Sequence, residues 1–172
     1  MLDLDTLVAE GLLICPRCSS SVRPGDDWRC VNTTCEYART PFPVVAGQPA
    51  LVDFEHSILS ADVLRSTTDR AAVDRRQGPG VVSRLVHPPD EQSPRNARRL
   101  LELLRHQGSA GPRPRVLVVG GSTVGDGLEE LYADSGIDLV AFDVRASAYT
   151  QFLADGHRIP LADESMDGVV VR

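Results

Sequence analysis

The sequence predicts an α/β protein: a parallel sheet of about four strands preceded by a small unit built around cysteines. Three observations carry this reading. All four cysteines lie near the N-terminus in a C-x2-C-x11-C-x4-C pattern. A continuous apolar run, Val116-Leu-Val-Val119, leads into a glycine-rich stretch. Beyond it, short apolar segments alternate with polar turns as far as Val169-Val-Val171.

Composition sets the bounds. Hydrophobic residues make up 42% of the 172 residues, so a buried core is expected and wholesale disorder is not. The formal charge of −6 does not indicate nucleic-acid binding, which favours a basic face. No signal-like or membrane-length apolar run is present, so the expectation is a cytoplasmic protein with no membrane partner. The chain divides into residues 1–55, which hold the cysteines, an Arg-rich helical linker region at 56–113, and an α/β segment at 114–172.

In the first segment, Cys15-Pro-Arg-Cys18 turns two sulfurs toward one ion, and Cys30 and Cys35 complete a tetrahedral thiolate shell. Two disulfides would need an oxidising compartment, and a redox C-x-x-C would sit on a thioredoxin-like strand and helix. Neither context is visible, so Cys15, Cys18, Cys30 and Cys35 are read as ligands of a structural Zn2+ in a small ribbon. The ribbon is too short to fold on apolar burial alone. Trp28 is a candidate for its small core. Phe42 to Val52 reads as strand, turn and strand, with Gly47 supplying the turn.

The middle segment predicts two helices, one from about Ser60 to Arg76 and one opened by Ser93 as N-cap and Pro94 as first helical residue. In the second, Ala97, Leu100, Leu101 and Leu104 share one face at helical spacing. Gly108 and Gly111-Pro112 end it. The arginines from Arg65 to Arg115 read as a solvated helical surface.

In the last segment, Val116–Val119 reads as a central strand buried on both faces. Gly120-Gly-Ser-Thr-Val-Gly-Asp-Gly127 follows as a loop that lets a ligand approach the backbone. A helix begins at Leu128, and a second strand, Ile137–Phe142, ends in Asp143. An acid there can accept both hydroxyls of a ribose. In this order the three features make a Rossmann-type βαβ unit. Asp126, Glu129 and Glu130 lie where a dinucleotide would place its pyrophosphate, which tilts the choice from NAD toward S-adenosylmethionine.

Two family resemblances emerge from these motifs. The C-P-x-C pair, the second cysteine pair and Phe42-Pro-Val-Val-Ala-Gly-Gln-Pro-Ala-Leu51 resemble the small zinc ribbons related to activators of RNA and protein methyltransferases, over residues 10–55. Similar ribbons stand in front of bacterial methyltransferase domains. Residues 114–172, above all Gln151-Phe-Leu-Ala-Asp-Gly-His157 and Asp163-Glu-Ser-Met-Asp-Gly-Val169, resemble class I, Rossmann-type methyltransferases of the type 11 kind. The resemblance implies an S-adenosyl-L-methionine site made by Gly120, Gly121, Ser122, Gly125, Asp143, Val144, Asp155, Gly156 and His157. Asp143 would take the ribose and Asp155 the adenine amino group. The family's acid two residues before the first glycine is Val118 here, and its later glycines fall on Ser122 and Val124. A lone histidine such as His157 is expected to hydrogen-bond beside the adenine loop rather than act as a base. His56, His87 and His106 have no partner nearby in sequence.

The family sheet has seven strands and this chain supplies four. The expectation is a truncated or split methyltransferase, inactive alone, whose strand ending at Val171 pairs with a complementing chain or with itself. The methyl acceptor is open, and no catalytic residue is assigned. Two other functions stand beside this one: a zinc-ribbon adaptor for another methyltransferase, and an NAD-dependent Rossmann oxidoreductase.

Overall fold

A computed structural model describes residues 1–25, 27–68, 92–107 and 112–172. It is an α/β fold in which a four-stranded, all-parallel sheet follows two small antiparallel hairpins. The sheet contains β5 (Arg115–Val119), β6 (Asp138–Asp143), β7 (Phe152–Leu153) and β8 (Gly168–Val171), in the order β7-β6-β5-β8. The hairpins are β1 (Val22–Arg23) with β2 (Arg29–Cys30), and β3 (Val44–Val45) with β4 (Gln48–Pro49). The second hairpin turns on Ala46 and Gly47, both at positive φ, a backbone shape that matches the twist of a two-residue loop.

Among the described residues, the named helices are α1 (Leu4–Ala9), α2 (Glu36–Arg39), α3 (Gln92–Gln107) and α4 (Glu129–Ala133). Residues 61–68 are also helical. The rest of the helix expected to reach Arg76, and the end signals at Gly108 and Gly111, lie outside the described residues. Helix α3 already includes Gln92, so Ser93 sits inside its first turn rather than ahead of it. Ala97, Leu101 and Leu104 are buried, as their spacing predicts. Helix α1 has no counterpart in the sequence reading. Asp3 caps it, its carboxylate accepting the Thr6 N–H at 2.7 Å.

The alternation of side chains along β5 and β6 explains the layering. Val116, Val118, Leu139 and Ala141 face one way and pack with Leu101 and Leu104 of α3 and Leu131 of α4. Leu117, Val140 and Phe142 face the other way and pack with Leu7 of α1 and with Leu13, Trp28, Tyr37 and Phe42 of the cysteine-bearing region. Residues 1–55 thus form a layer of the sheet's own core. On that face the connections into β7 and β8 contain no helix, and the cysteine-bearing region covers the sheet instead.

Backbone hydrogen bonds stitch the layer to the sheet. The Leu51 N–H donates to Leu153 O at 2.8 Å, so residues 50 and 51 cover the outer edge of β7. The Leu2 N–H donates to Leu139 O at 3.0 Å, where β7 is too short to reach β6. On the opposite edge, β8 leaves Val169 56% and Val171 72% exposed. No described helix is long and apolar enough to cross a membrane.

Candidate functional site

The four cysteines converge. Their sulfurs all lie within 4.8 Å of one another, with Cys15 Sγ 3.8 Å from Cys35 Sγ and Cys18 Sγ 3.4 Å from Cys30 Sγ. A tetrahedron of ~2.3 Å Zn–S bonds has edges of about 3.8 Å, so the spacing fits one zinc ion. All four are free thiols.

Local backbone geometry creates this convergence. After Cys15-Pro-Arg-Cys18 the chain reverses at Ser19, which takes φ +59°, and the Ser19 N–H donates to Cys15 O at 2.9 Å. In the second pair the Cys35 N–H donates to Asn32 O at 3.0 Å, and Asn32 N–H points at Cys30 Sγ from 3.4 Å. Burial pushes the Cys15 thiol up and the Cys30 thiol up to about 11. At Cys18 burial also raises the value, but the Ser20 N–H and hydroxyl outweigh it and the thiol falls to about 6. Binding a soft cation here displaces the protons of the buried Cys15 and Cys30 thiols, as a four-sulfur zinc site requires.

A second candidate region lies at the carboxyl ends of β5, β6 and β7, the edge at which ligands commonly bind in parallel α/β sheets. The N–H groups of Gly120 and Gly121 both donate to Phe142 O at 3.0 Å, which folds the loop tightly over β6. Gly120 adopts φ +81°. At Gly121 a side chain is excluded, since a Cβ would lie 2.8 Å from that of Ala141. The Ser122 N–H donates to Asp143 Oδ2 at 3.0 Å, and the Arg145 N–H to Oδ1 at 3.3 Å. Asp155 Oδ1 accepts the His157 N–H at 2.9 Å and lies 2.8 Å from His157 Nδ1, while Oδ2 accepts the Ser57 hydroxyl. Both aspartates are buried.

A carboxylate offers about four acceptor positions. Asp143 uses two of them and Asp155 three. Ser122 Oγ and the Tyr132 hydroxyl are buried with no hydrogen-bond partner among the described residues, and Tyr132 Oη lies 3.3 Å from where a Gly121 Cβ would stand. Buried polar atoms of this sort are normally satisfied by a ligand or water.

The sequence-derived residues are distributed unevenly. Ser122 bonds Asp143 directly, and Gly120 and Gly121 bond the carbonyl of the preceding Phe142. Gly156 approaches from β7, with its Cβ position 4.0 Å from Val119 Cγ1. His157 is paired with Asp155, its side chain otherwise 90% exposed. Val144 packs against the buried cluster that contains Val45, Val52, Leu64 and Leu153. Over Gly125 lies the guanidinium of Arg172, which donates to Thr123 O at 2.6 Å. Glu130 is turned toward α3, where it pairs with Arg98 at 2.9 Å, so its charge bears less on the loop than its position in sequence suggests.

Ser57, Asp53 and Tyr132 are absent from the sequence reading. Ser57 and Asp155 stand 98 residues apart, and no local pattern links them. His56 proves to have a partner, its Nδ1 lying 3.1 Å from Asp53 Oδ2. The chain matches no known family model and no curated protein.

Proposed function

We propose that this chain is the cofactor-binding part of an S-adenosylmethionine-dependent methyltransferase, carrying a structural zinc in its N-terminal layer. The observation that carries the reading is that Asp143, at the end of β6, accepts the Ser122 N–H of the glycine loop, while Asp155 follows the neighbouring strand β7. Asp143 has two acceptor positions left, as many as a ribose diol has hydroxyls to donate. Asp155 has one left for an exocyclic amino group. Gly120 and Gly121 leave the backbone open to close approach, and Ser122 and Tyr132 offer hydroxyls without hydrogen-bond partners among the described residues.

The bound cofactor supplies an electrophilic methyl group. Methyl transfer depends mainly on holding an acceptor in line with the sulfonium, so residues that fix the adenosyl portion contribute by orientation. In this reading Asp143 and Asp155 orient, and the zinc-bearing layer keeps the loop ends in register.

Titration calorimetry of the zinc-loaded chain with S-adenosylmethionine, S-adenosylhomocysteine and NAD tests the proposal. Binding of the two adenosyl sulfur compounds without NAD is the expected result. Removing two charged hydrogen bonds costs roughly 1.5–3 kcal/mol each, so Asp143→Ala should weaken S-adenosylhomocysteine at least about a hundredfold. NAD binding alone would replace this reading with the oxidoreductase one. Absence of all three from the folded protein would refute cofactor binding.

A further inference from the structure

Asp53 belongs neither to the thiol cluster nor to the glycine loop, yet it touches the surroundings of both. Its carboxylate is 2% exposed. Oδ1 accepts from Arg17 Nη1 at 3.0 Å and from the Tyr37 hydroxyl at 3.5 Å. Oδ2 accepts from Arg158 Nη1 at 3.1 Å and lies 3.1 Å from His56 Nδ1.

The positions of these donors in the chain matter. Arg17 stands between Cys15 and Cys18. Tyr37 follows Cys35 by two residues, and its hydroxyl is itself fixed by the Phe54 N–H at 2.8 Å. Arg158 lies three residues beyond Asp155. One buried carboxylate is therefore held by both halves of the thiol cluster and by the loop that carries Asp155. A second link runs in parallel: Ser57 Oγ accepts the Leu59 N–H at 3.1 Å and donates to Asp155.

We propose that Arg17 and Asp53 are positioning residues that couple the four-cysteine centre to the loop 155–158, so that the geometry of the metal centre sets the order of that loop. A buried carboxylate shared by two guanidiniums cannot lose one without rearranging the other, because an unpaired buried charge is costly. Arg17 is held at the same time through Nη2 by Glu55 and Glu36, so a change in the knuckle that shifts Arg17 disturbs the charges balanced on Asp53. Arg158 would then lose its fixed anchor, and the Asp155 loop would loosen. Only the consequence for cofactor binding rests on the functional reading above; the coupling itself does not.

Amide hydrogen exchange on the full, zinc-loaded chain tests the coupling without any ligand. Arg17→Met, with zinc content confirmed by metal analysis, should speed exchange across residues 154–158 at least fivefold. Peptides covering 115–119 and 138–143 should stay at their wild-type rates, and Arg17→Lys should restore most of the protection. Asp53→Asn should give the same pattern. Arg17→Met, at a partly exposed position, carries the test if the Asp53 variant does not fold. Unchanged exchange at 154–158 in zinc-loaded Arg17→Met would overturn the proposal, as would equal acceleration in every peptide. A wild-type chain that binds no S-adenosylhomocysteine would defeat the functional reading alone, since the exchange measurement contains no ligand.

Discussion

Asp155 shows how much a single side chain depends on partners from distant parts of the chain. Burial alone would raise its pKa, but the Ser57 hydroxyl and the His157 N–H and ring outweigh this and hold the carboxyl below its ordinary value. A carboxyl whose folded pKa is depressed stabilises the protein above its unfolded pKa, about 3.9, and loses that contribution as pH falls through the lowered folded value. Asp155→Asn should therefore cost about 1.5–3 kcal/mol near neutral pH, the range for hydrogen bonds to a charged group. The gap from wild type should narrow below about pH 4, in the window given by those pKa values. Urea unfolding at several pH values measures both, and a gap independent of pH would show that the ionised carboxylate is not what stabilises the loop. The sequence makes Asp143 and Asp155 visible because each ends an apolar run. It cannot reveal Ser57 as a donor to Asp155, since the two lie 98 residues apart and meet only through tertiary packing.

The elements that could be read in advance are those whose own residues dictate burial. Strand β5 has three consecutive residues, Val116, Leu117 and Val118, buried between two layers, and that continuous run is its signature. Helix α3 announces itself by Ala97, Leu101 and Leu104 on one stripe, all of them buried against the sheet. Leu104→Ala should leave a cavity beneath α3 and cost about 2–5 kcal/mol, read as a lower urea midpoint with an unchanged slope. A cost below about 1 kcal/mol would mean that α3 collapses readily into the space and contributes less to the core than its burial indicates. Strand β7 and helix α1 are harder to read for the same physical reason. Two paired residues are too few for a period, and α1 has a single fully buried side chain, Leu7, whose burial comes from the sheet rather than from a stripe along the helix.

At the scale of the molecule, the relation between the cysteine-bearing region and the sheet is what sequence patterns could not supply. Each segment has its own motif, and motifs do not say which surfaces meet. Leu13, Trp28 and Phe42 from the first segment and Leu117, Phe142 and Phe152 from the last belong to one buried cluster, so neither side closes its core alone. Structural zinc contributes roughly 10–16 kcal/mol in isolated finger peptides, as much as the whole stability of a typical domain. Zinc bound at Cys15, Cys18, Cys30 and Cys35 should accordingly stabilise the sheet as well as the hairpins. Trp28 is the only tryptophan and is 8% exposed, which makes its fluorescence a local reporter of the first segment. Far-UV circular dichroism reports the helices and the parallel sheet. The two signals should follow one coincident urea transition in the zinc-loaded chain, and chelation should move both midpoints down together, to zero denaturant in the extreme. Chelation that releases Trp28 to solvent while the dichroism transition stays in place would mean that the sheet holds its fold without the layer packed on it.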